Sequence, residues 1–304
     1  MMARFAVAQK EGAPGRPVPP VGFEDLAITT RRRPIREILV EYGIAPRKRL
    51  GQHFLHDRAV CARIVAAAGV HPGDRVLEIG PGLGALTEPL LAAGARVTAV
   101  EVDRRLAAYL RDSLGGDPGF ELREADVLSL DPEEIAPEPT LLIGNLPYSI
   151  TGPLFALILA APDRFPRAVL MVQKEVGSRL VAGAGGKRLG APAVLLRLLY
   201  RVRRLFEVGS GAFLPPPDVV SVVVVLERIP GASLAADLAD AVNAAYLHRR
   251  KMIRKTLAGR WASEELLADA LTGIGRSASA RPEELEPEDW PRLLDAVRDA
   301  RRAS

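Results

Sequence analysis

Cysteine is nearly absent: Cys61 is the only one in 304 residues, so no disulfide can form within a single copy. Histidine is almost as scarce, at four. His53 and His56 stand three apart, but no further ligands accompany them, so no metal site is expected. Long apolar runs are missing as well. A stretch such as Val219 to Leu226 is broken far short of the ~20 residues that a membrane-crossing helix needs, and it reads as a strand. No internal repeat is present, and 41 Lys and Arg against 37 Asp and Glu leave a net charge of only +4. These absences exclude a disulfide scaffold, a membrane-spanning chain and a repeat array. What remains is a soluble protein of two-domain size, expected to be cytoplasmic and to have no membrane partner.

Acidic residues are missing where basic ones gather. Residues 249–260 hold six Lys and Arg, including Arg249, Arg250, Lys251 and Arg254, and no acid. Residues 31–49 hold seven, among them Arg47, Lys48 and Arg49, against Glu37 and Glu41. A charge run usually forms a solvated helix face, but an acid-free block of six suits phosphate better.

Residues 1–33 are rich in Gly, Pro and Ala without periodicity and read as a disordered extension. They lack the apolar core of a signal peptide, and their prolines interrupt any amphipathic presequence helix. Pro34 to Tyr42 reads as a short helix started by proline. From Asp74 onward, short apolar runs alternate with helical patterns: Val76 to Ile79, Val97 to Val100, Phe120 to Arg123, Leu141 to Ile143 and Ala168 to Val172. That alternation specifies a parallel α/β sheet. Tyr200 to Val208 and Val219 to Glu227 would close its far edge as a hairpin-like pair. After Pro230 only helical periods remain, at Leu234 to Leu247, Arg250 to Leu257, Glu264 to Leu271 and Trp290 to Arg301. The expected division is an α/β domain over 34–229 and a small helical domain over 230–304.

Glu78-Ile-Gly80-Pro-Gly82-Leu-Gly84-Ala85 follows the first of these strands and opens a helix, and glycine there lets a ligand approach the backbone. With Glu101 about 20 residues on, placed to grip ribose hydroxyls, the spacing fits a dinucleotide fingerprint and S-adenosylmethionine equally well. Asp126, after the third strand, can accept from an adenine amine or cap a turn. Asn145-Leu146-Pro147-Tyr148 follows the fourth. Pro147 has fixed φ and pushes Leu146 out of the helical region, so the turn is stiff. It can aim the Asn145 side-chain carbonyl and the Leu146 backbone carbonyl at the two hydrogens of one NH2 group, with the Tyr148 ring under the base. A dehydrogenase has no use for such a turn, and the sum favours S-adenosylmethionine.

Six motifs in order, Arg47-Lys-Arg-Leu-Gly-Gln-His-Phe-Leu55, Glu78-Ile-Gly-Pro-Gly82, Asn145-Leu-Pro-Tyr148, Gln173-Lys-Glu-Val176, Phe213-Leu-Pro-Pro-Pro217 and Arg249-Arg-Lys-Met-Ile-Arg254, resemble the KsgA family of ribosomal RNA adenine dimethyltransferases. The resemblance covers about residues 34–258 well and the tail more loosely. It implies a class I, Rossmann-like methyltransferase fold with a small C-terminal helical domain. It further implies transfer of two methyl groups from S-adenosylmethionine, without a metal, to the exocyclic amine of each of two adjacent adenosines near the 3′ end of small-subunit ribosomal RNA. The partner would be that RNA or a precursor particle, and the chain a monomer. Position by position, His53, Leu55, Gly80, Gly82, Glu101, Asp126 and Asn145 would line the cofactor site, and Phe213 would complete the base pocket. Departures fall around the target loop: Asp218-Val219-Val220-Ser221 replaces a usual Lys-Val-Asp-Ser, Leu189-Gly190 a common Tyr-Gly, and Val225 a frequent arginine.

Three other readings are the Erm group acting on large-subunit RNA, a non-catalytic assembly or transcription factor of the same fold, and a nicotinamide dehydrogenase. Tyr148, Gln173-Lys-Glu-Val176 and the basic 249–254 segment favour the small-subunit enzyme over the first. The intact Asn145 turn argues against the second, and the third leaves that turn unexplained.

Overall fold

The computed structural model describes residues 33–46, 51–147, 149–183 and 190–303. The expected disordered extension, apart from Arg33, lies outside them, as do Arg47, Lys48, Arg49, Tyr148 and Leu189.

Among the described residues nine strands form in chain order: β1 (Phe54–Leu55), β2 (Arg75–Ile79), β3 (Arg96–Glu101), β4 (Phe120–Glu124), β5 (Leu141–Asn145), β6 (Arg167–Gln173), β7 (Tyr200–Val208), β8 (Phe213–Leu214) and β9 (Ser221–Arg228). Seven make one sheet in the order β4-β3-β2-β5-β6-β9-β7. The first five neighbours run parallel; β9 is antiparallel to both β6 and β7. The expected late pair is there, with β9 inserted inside and the earlier β7 left at the edge. Burial explains the choice. Val222 through Leu226 are fully buried, an apolar run that only a central strand can cover on both faces. Tyr200 to Val208 instead carries Arg201, Arg203 and Arg204, charges that suit an exposed edge.

Alternation along β2 divides the core. Val76 packs with Ile64, Val65 and Leu90 on one face, while Leu77 and Ile79 pack with Leu154, Ile158 and Leu196 on the other. Each such side chain contributes about 1.5–3 kcal/mol when fully buried. Helix Arg58–Ala68 covers the first face. Asp57 caps it, accepting from the amides of Ala59 and Val60, and Gly69 ends it in the left-handed region at φ +63°.

Helices Ala236–Leu247, Ile253–Leu257, Glu264–Gly273 and Asp289–Ala303 follow the sheet. Their core, centred on the fully buried Trp290, is continuous with the sheet's second face through helix Ala191–Leu199. Among the described residues no helix is long and apolar enough to cross a membrane.

The chain runs from β2 outward to β3 and β4, then returns to place β5 on the other side of β2. Strand order therefore reverses between β2 and β5, and a crevice opens at their carboxyl ends. Gly144 lets these two strands close up there: a Cβ at that position would stand 2.9 Å from the Ile79 carbonyl oxygen.

Candidate active site at the carboxyl ends of the sheet

Each parallel strand delivers one group to the crevice. β2 turns at Gly80, whose φ is +64°, and nothing lies within 4 Å of where its Cβ would stand. The Gly80 amide still donates to the Val100 carbonyl at 3.0 Å, so the turn stays fastened to β3. β3 ends on Glu101, which is only 4% exposed. Its Oε1 accepts from the Asp103 amide at 2.9 Å and its Oε2 from the Gly82 amide at 3.3 Å. Burial pushes the Glu101 carboxyl up to about 7, with those two backbone donors pulling the other way. After β4, Asp126 offers Oδ1 to the Leu128 amide at 3.0 Å as the cap of a short 3-10 turn. The capping reading is therefore realised, and it occupies one of two carboxylate oxygens.

β5 ends on Asn145. Its Nδ2 donates to the His53 carbonyl at 3.1 Å, which turns Oδ1 the opposite way as an acceptor. His53 belongs to residues 51–55, which cross the crevice and are fastened on several sides. Gln52 Nε2 donates to Asp103 Oδ2 at 3.1 Å, and His53 Nδ1 bonds the Pro215 carbonyl at 2.8 Å. β1 pairs with β8, setting Phe54 against Leu214 and Leu55 against Phe213. His56 N donates to the Ala212 carbonyl at 2.9 Å beyond that pair.

His53, Leu55, Gly80, Gly82, Glu101, Asp126 and Asn145 consequently line one cavity, with Pro147, Ser149 and Ile150 at one side. Leu146 stands differently: its side chain is buried and its amide donates to the Met171 carbonyl at 3.1 Å, fixing the plane of the turn. Phe213 also departs from expectation. It is 3% exposed, packs with Leu55, Cys61 and Val223, and does not line the cavity. Directly opposite residues of an antiparallel pair project to the same side, so Phe213 stands beside Leu55 in the core and supports it there.

Several lining residues carry weak sequence signals. Glu78 is buried and accepts from Thr87 Oγ1 at 2.7 Å. Val102 is half exposed at the cavity's rim. Gln52 sits inside the basic N-terminal motif, but its tie to Asp103 spans 51 residues and leaves no local pattern.

The basic segment is corrected on two points. A helix from Arg250 was expected; Arg249 and Arg250 lie instead in an exposed turn, continued by exposed Lys251, and the helix begins only at Ile253. The preceding helix ends at Leu247 with His248 as its cap, Lys251 N bonds back to the His248 carbonyl at 2.7 Å, and Ile253 N reaches the Ala280 carbonyl at 2.9 Å. The block is also not acid-free in space. Arg254 pairs with Glu264 at 3.0 Å, and Arg260 pairs with Asp240 at 2.7 Å while lying over the Trp261 ring. Arg250, Lys251 and Lys255 face Arg276 and Arg281 across an open groove, and the last two were not foreseen.

The sequence model of the family described as "Ribosomal RNA adenine dimethylase" matches residues 44–296. The chain is 44% identical over 264 residues to "Ribosomal RNA small subunit methyltransferase A" of Thermosynechococcus vestitus, covering 84% of this chain and 98% of the relative. It is 46% identical over 261 residues to the protein of the same name from Gloeobacter violaceus, covering 83% and 94%. Among solved structures, the 23S rRNA methyltransferase ErmE superposes with a TM-score of 0.66 at 30% identity, over 81% of this chain and 99% of that one. A dimethyladenosine transferase from Plasmodium falciparum gives 0.70 over 81% and 98%; at 23% identity it supports the class I, Rossmann-like fold alone. With a switch-point cavity and an Asn-Leu-Pro turn at its edge, the chain belongs to the ribosomal RNA adenine dimethylase family.

Proposed function

We propose that this enzyme dimethylates N6 of two adjacent adenosines near the 3′ end of small-subunit (16S) ribosomal RNA during maturation of that subunit, using S-adenosylmethionine. The observation that carries the site-level reading is the Asn145 amide, anchored through nitrogen on the His53 carbonyl and offering oxygen to a base.

The residues present suit the cofactor. Gly80 leaves open space for close approach, Glu101 is a buried carboxylate able to accept from a ribose diol, and Asp126 keeps an oxygen for the adenine amine. His53, Leu55 and Gly82 complete this wall. When bound, S-adenosylmethionine supplies an electrophilic methyl group on a sulfonium centre.

Asn145 Oδ1 and the Leu146 carbonyl accept the two hydrogens of the target amine. An adenine amine is a poor nucleophile because its lone pair is delocalised into the ring. Two acceptors placed off the ring plane favour a pyramidal nitrogen with its lone pair aimed at the methyl group. The new bond is N–CH3 and the bond broken is the S–CH3 bond of the sulfonium, whose electron pair stays on sulfur in a neutral thioether; the proton that the nitrogen then sheds goes to water, so no general base or metal is needed. Alignment of this kind is worth up to roughly 7–11 kcal/mol, and each hydrogen bond to the developing positive charge adds about 1.5–3 kcal/mol. Tyr148 stacks on the unstacked base, and Phe213 supports Leu55 from beside it in the core. Arg47, Lys48, Arg49, Arg249, Arg250 and Lys251 hold phosphates, with Arg254 steadying the turn from its ion pair. The catalytic part spans 34–229, residues 230–304 serve RNA binding, and the protein works as a cytoplasmic monomer.

Incubation with labelled S-adenosylmethionine and small-subunit particles lacking the modification tests this reading. Label in N6,N6-dimethyladenosine of the small-subunit RNA is expected. Label confined to large-subunit RNA would move the protein to the Erm activity, and binding without label would make it an assembly factor.

A further inference from the structure

The bond between His53 and Pro215 joins the segment that crosses the cavity to the loop after β8, and the assigned cofactor role of His53 does not account for it. A carbonyl oxygen only accepts, so at 2.8 Å from the Pro215 carbonyl His53 Nδ1 must carry the proton. The backbone carbonyl of the same residue accepts from Asn145 Nδ2 at 3.1 Å. His53 thus connects residues 213–217 to the amide that orients the reacting nitrogen. The β1–β8 pair in between has only two residues per strand, too short to hold its own register. His53 and the His56 amide, which donates to the Ala212 carbonyl, close that pair at its two ends.

We infer that the His53 side chain is a positioning residue for the target adenine: by tying residues 51–55 to the loop after β8, it fixes the backbone carbonyl that holds Asn145 Nδ2, and with it the direction in which Asn145 Oδ1 meets the amine. This rests on the adenine-methylation reading above. The demand on that direction differs between the two rounds. An unmodified adenine amine has two N–H groups for the two acceptors. After one methylation only one N–H remains, so alignment in the second round depends more on the exact placement of the acceptor it still meets. Releasing the tether should therefore impair the second transfer more than the first and let monomethylated product escape.

His53→Ala removes the tether, His53→Phe keeps the ring volume without the donor, and His53→Asn carries an amide N–H that can still reach the Pro215 carbonyl. Each is to be compared with the wild-type protein on unmodified small-subunit particles, separating N6-methyladenosine from N6,N6-dimethyladenosine and measuring S-adenosylmethionine affinity by calorimetry, which also reports folding. The expected result for Ala and Phe, read with S-adenosylmethionine saturating so that any lost contact with the cofactor drops out, is a fall in kcat of roughly ten- to a hundredfold and a raised monomethyl fraction, with Asn restoring the dimethyl product. An unchanged product ratio and kcat in whichever of Ala and Phe retains cofactor binding overturns the inference, as does a loss confined to cofactor affinity. A wild-type protein that leaves adenine unmethylated is a distinct result: it removes the functional reading first and the inference with it.

Discussion

Asn145 donates its side-chain amide to the backbone carbonyl of His53 across 3.1 Å, although 92 residues separate them in the chain. The bond fastens the end of β5 to the segment entering β1. Because an amide that donates through nitrogen must point its oxygen elsewhere, the acceptor direction at Asn145 is set by backbone far away in sequence. The site is thereby built before any ligand arrives, which is the condition under which a single acceptor contributes most to catalysis.

On the proposed reading, Glu101 makes cofactor binding depend on pH. Its carboxyl is raised from 4.5 to about 7 by burial, and ribose hydroxyls donate to the ionised form. Below pH 7 binding must expel a proton, so S-adenosylmethionine affinity is expected to climb about tenfold per pH unit toward 7 and then level off. Stability without ligand moves oppositely: the folded protein holds this proton more tightly than the unfolded chain, so the contribution is complete below 4.5 and fades as pH rises through about 7. Calorimetric titration across this range checks the first statement, and melting curves of wild type against Glu101→Gln, which should lack the effect, check the second. A flat affinity profile would contradict the assignment.

Two glycines at neighbouring strand ends should fail in different ways. Gly80→Ala places a methyl group in open cavity space and forces an L-residue to φ +64°, at about 1–2 kcal/mol. The variant should fold, with cofactor affinity lowered by more than about tenfold, since 1.4 kcal/mol already corresponds to that factor. Gly144→Ala drives a Cβ to 2.9 Å from the Ile79 oxygen and 3.1 Å from Leu146 Cδ2, so β2 and β5 must separate. Overpacking of that kind costs about 1–3 kcal/mol of folding stability. Denaturant midpoints and cofactor titrations on both variants separate the two effects.

Removing charge from the exposed turn should change salt dependence and leave folding alone. With Arg249 and Arg250 both replaced by Ala, the slope of log affinity for RNA against log salt should shrink by about 1.4 to 1.8, the value for two lost phosphate contacts. Arg254→Ala breaks the Glu264 pair, whose partners are 31% and 39% exposed, and should cost no more than about 1 kcal/mol of stability. An unchanged slope in the double variant would make the turn a solvated surface.

Phe213→Ala distinguishes a buried support from a surface wall. With the ring at 3% exposure among Leu55, Cys61 and Val223, truncation should destabilise the fold by about 3–5 kcal/mol. Loss of base binding at full stability would place the ring on the cavity surface.

The sheet was legible because its strands are buried on both faces and read as unbroken apolar runs, Val222 to Leu226 above all. That Gly80, Glu101, Asp126 and Asn145 share one cavity was legible because each stands at or just after a strand end, where an open α/β sheet opens its crevice. What escaped was non-local. The two-residue β1–β8 pair has no periodicity to detect. Gln52 to Asp103 and His53 to Pro215 are side-chain bonds across 51 and 162 residues. The Arg254 to Glu264 pair makes an acid-free stretch of sequence partly neutral in space. The buried position of Phe213 depends on its register opposite Leu55, which the triple proline alone does not specify.

The central claim is that Asn145 acts on the reacting nitrogen and contributes little to capture of RNA or cofactor. Single-turnover methylation by Asn145→Ala, with RNA and S-adenosylmethionine both saturating, measures that directly. The account predicts a rate constant lower by on the order of 10²-fold or more, with RNA affinity retained and the dimethylated product nearly lost. A variant that methylates at the wild-type rate, or one whose whole defect disappears at saturating ligand, would contradict it.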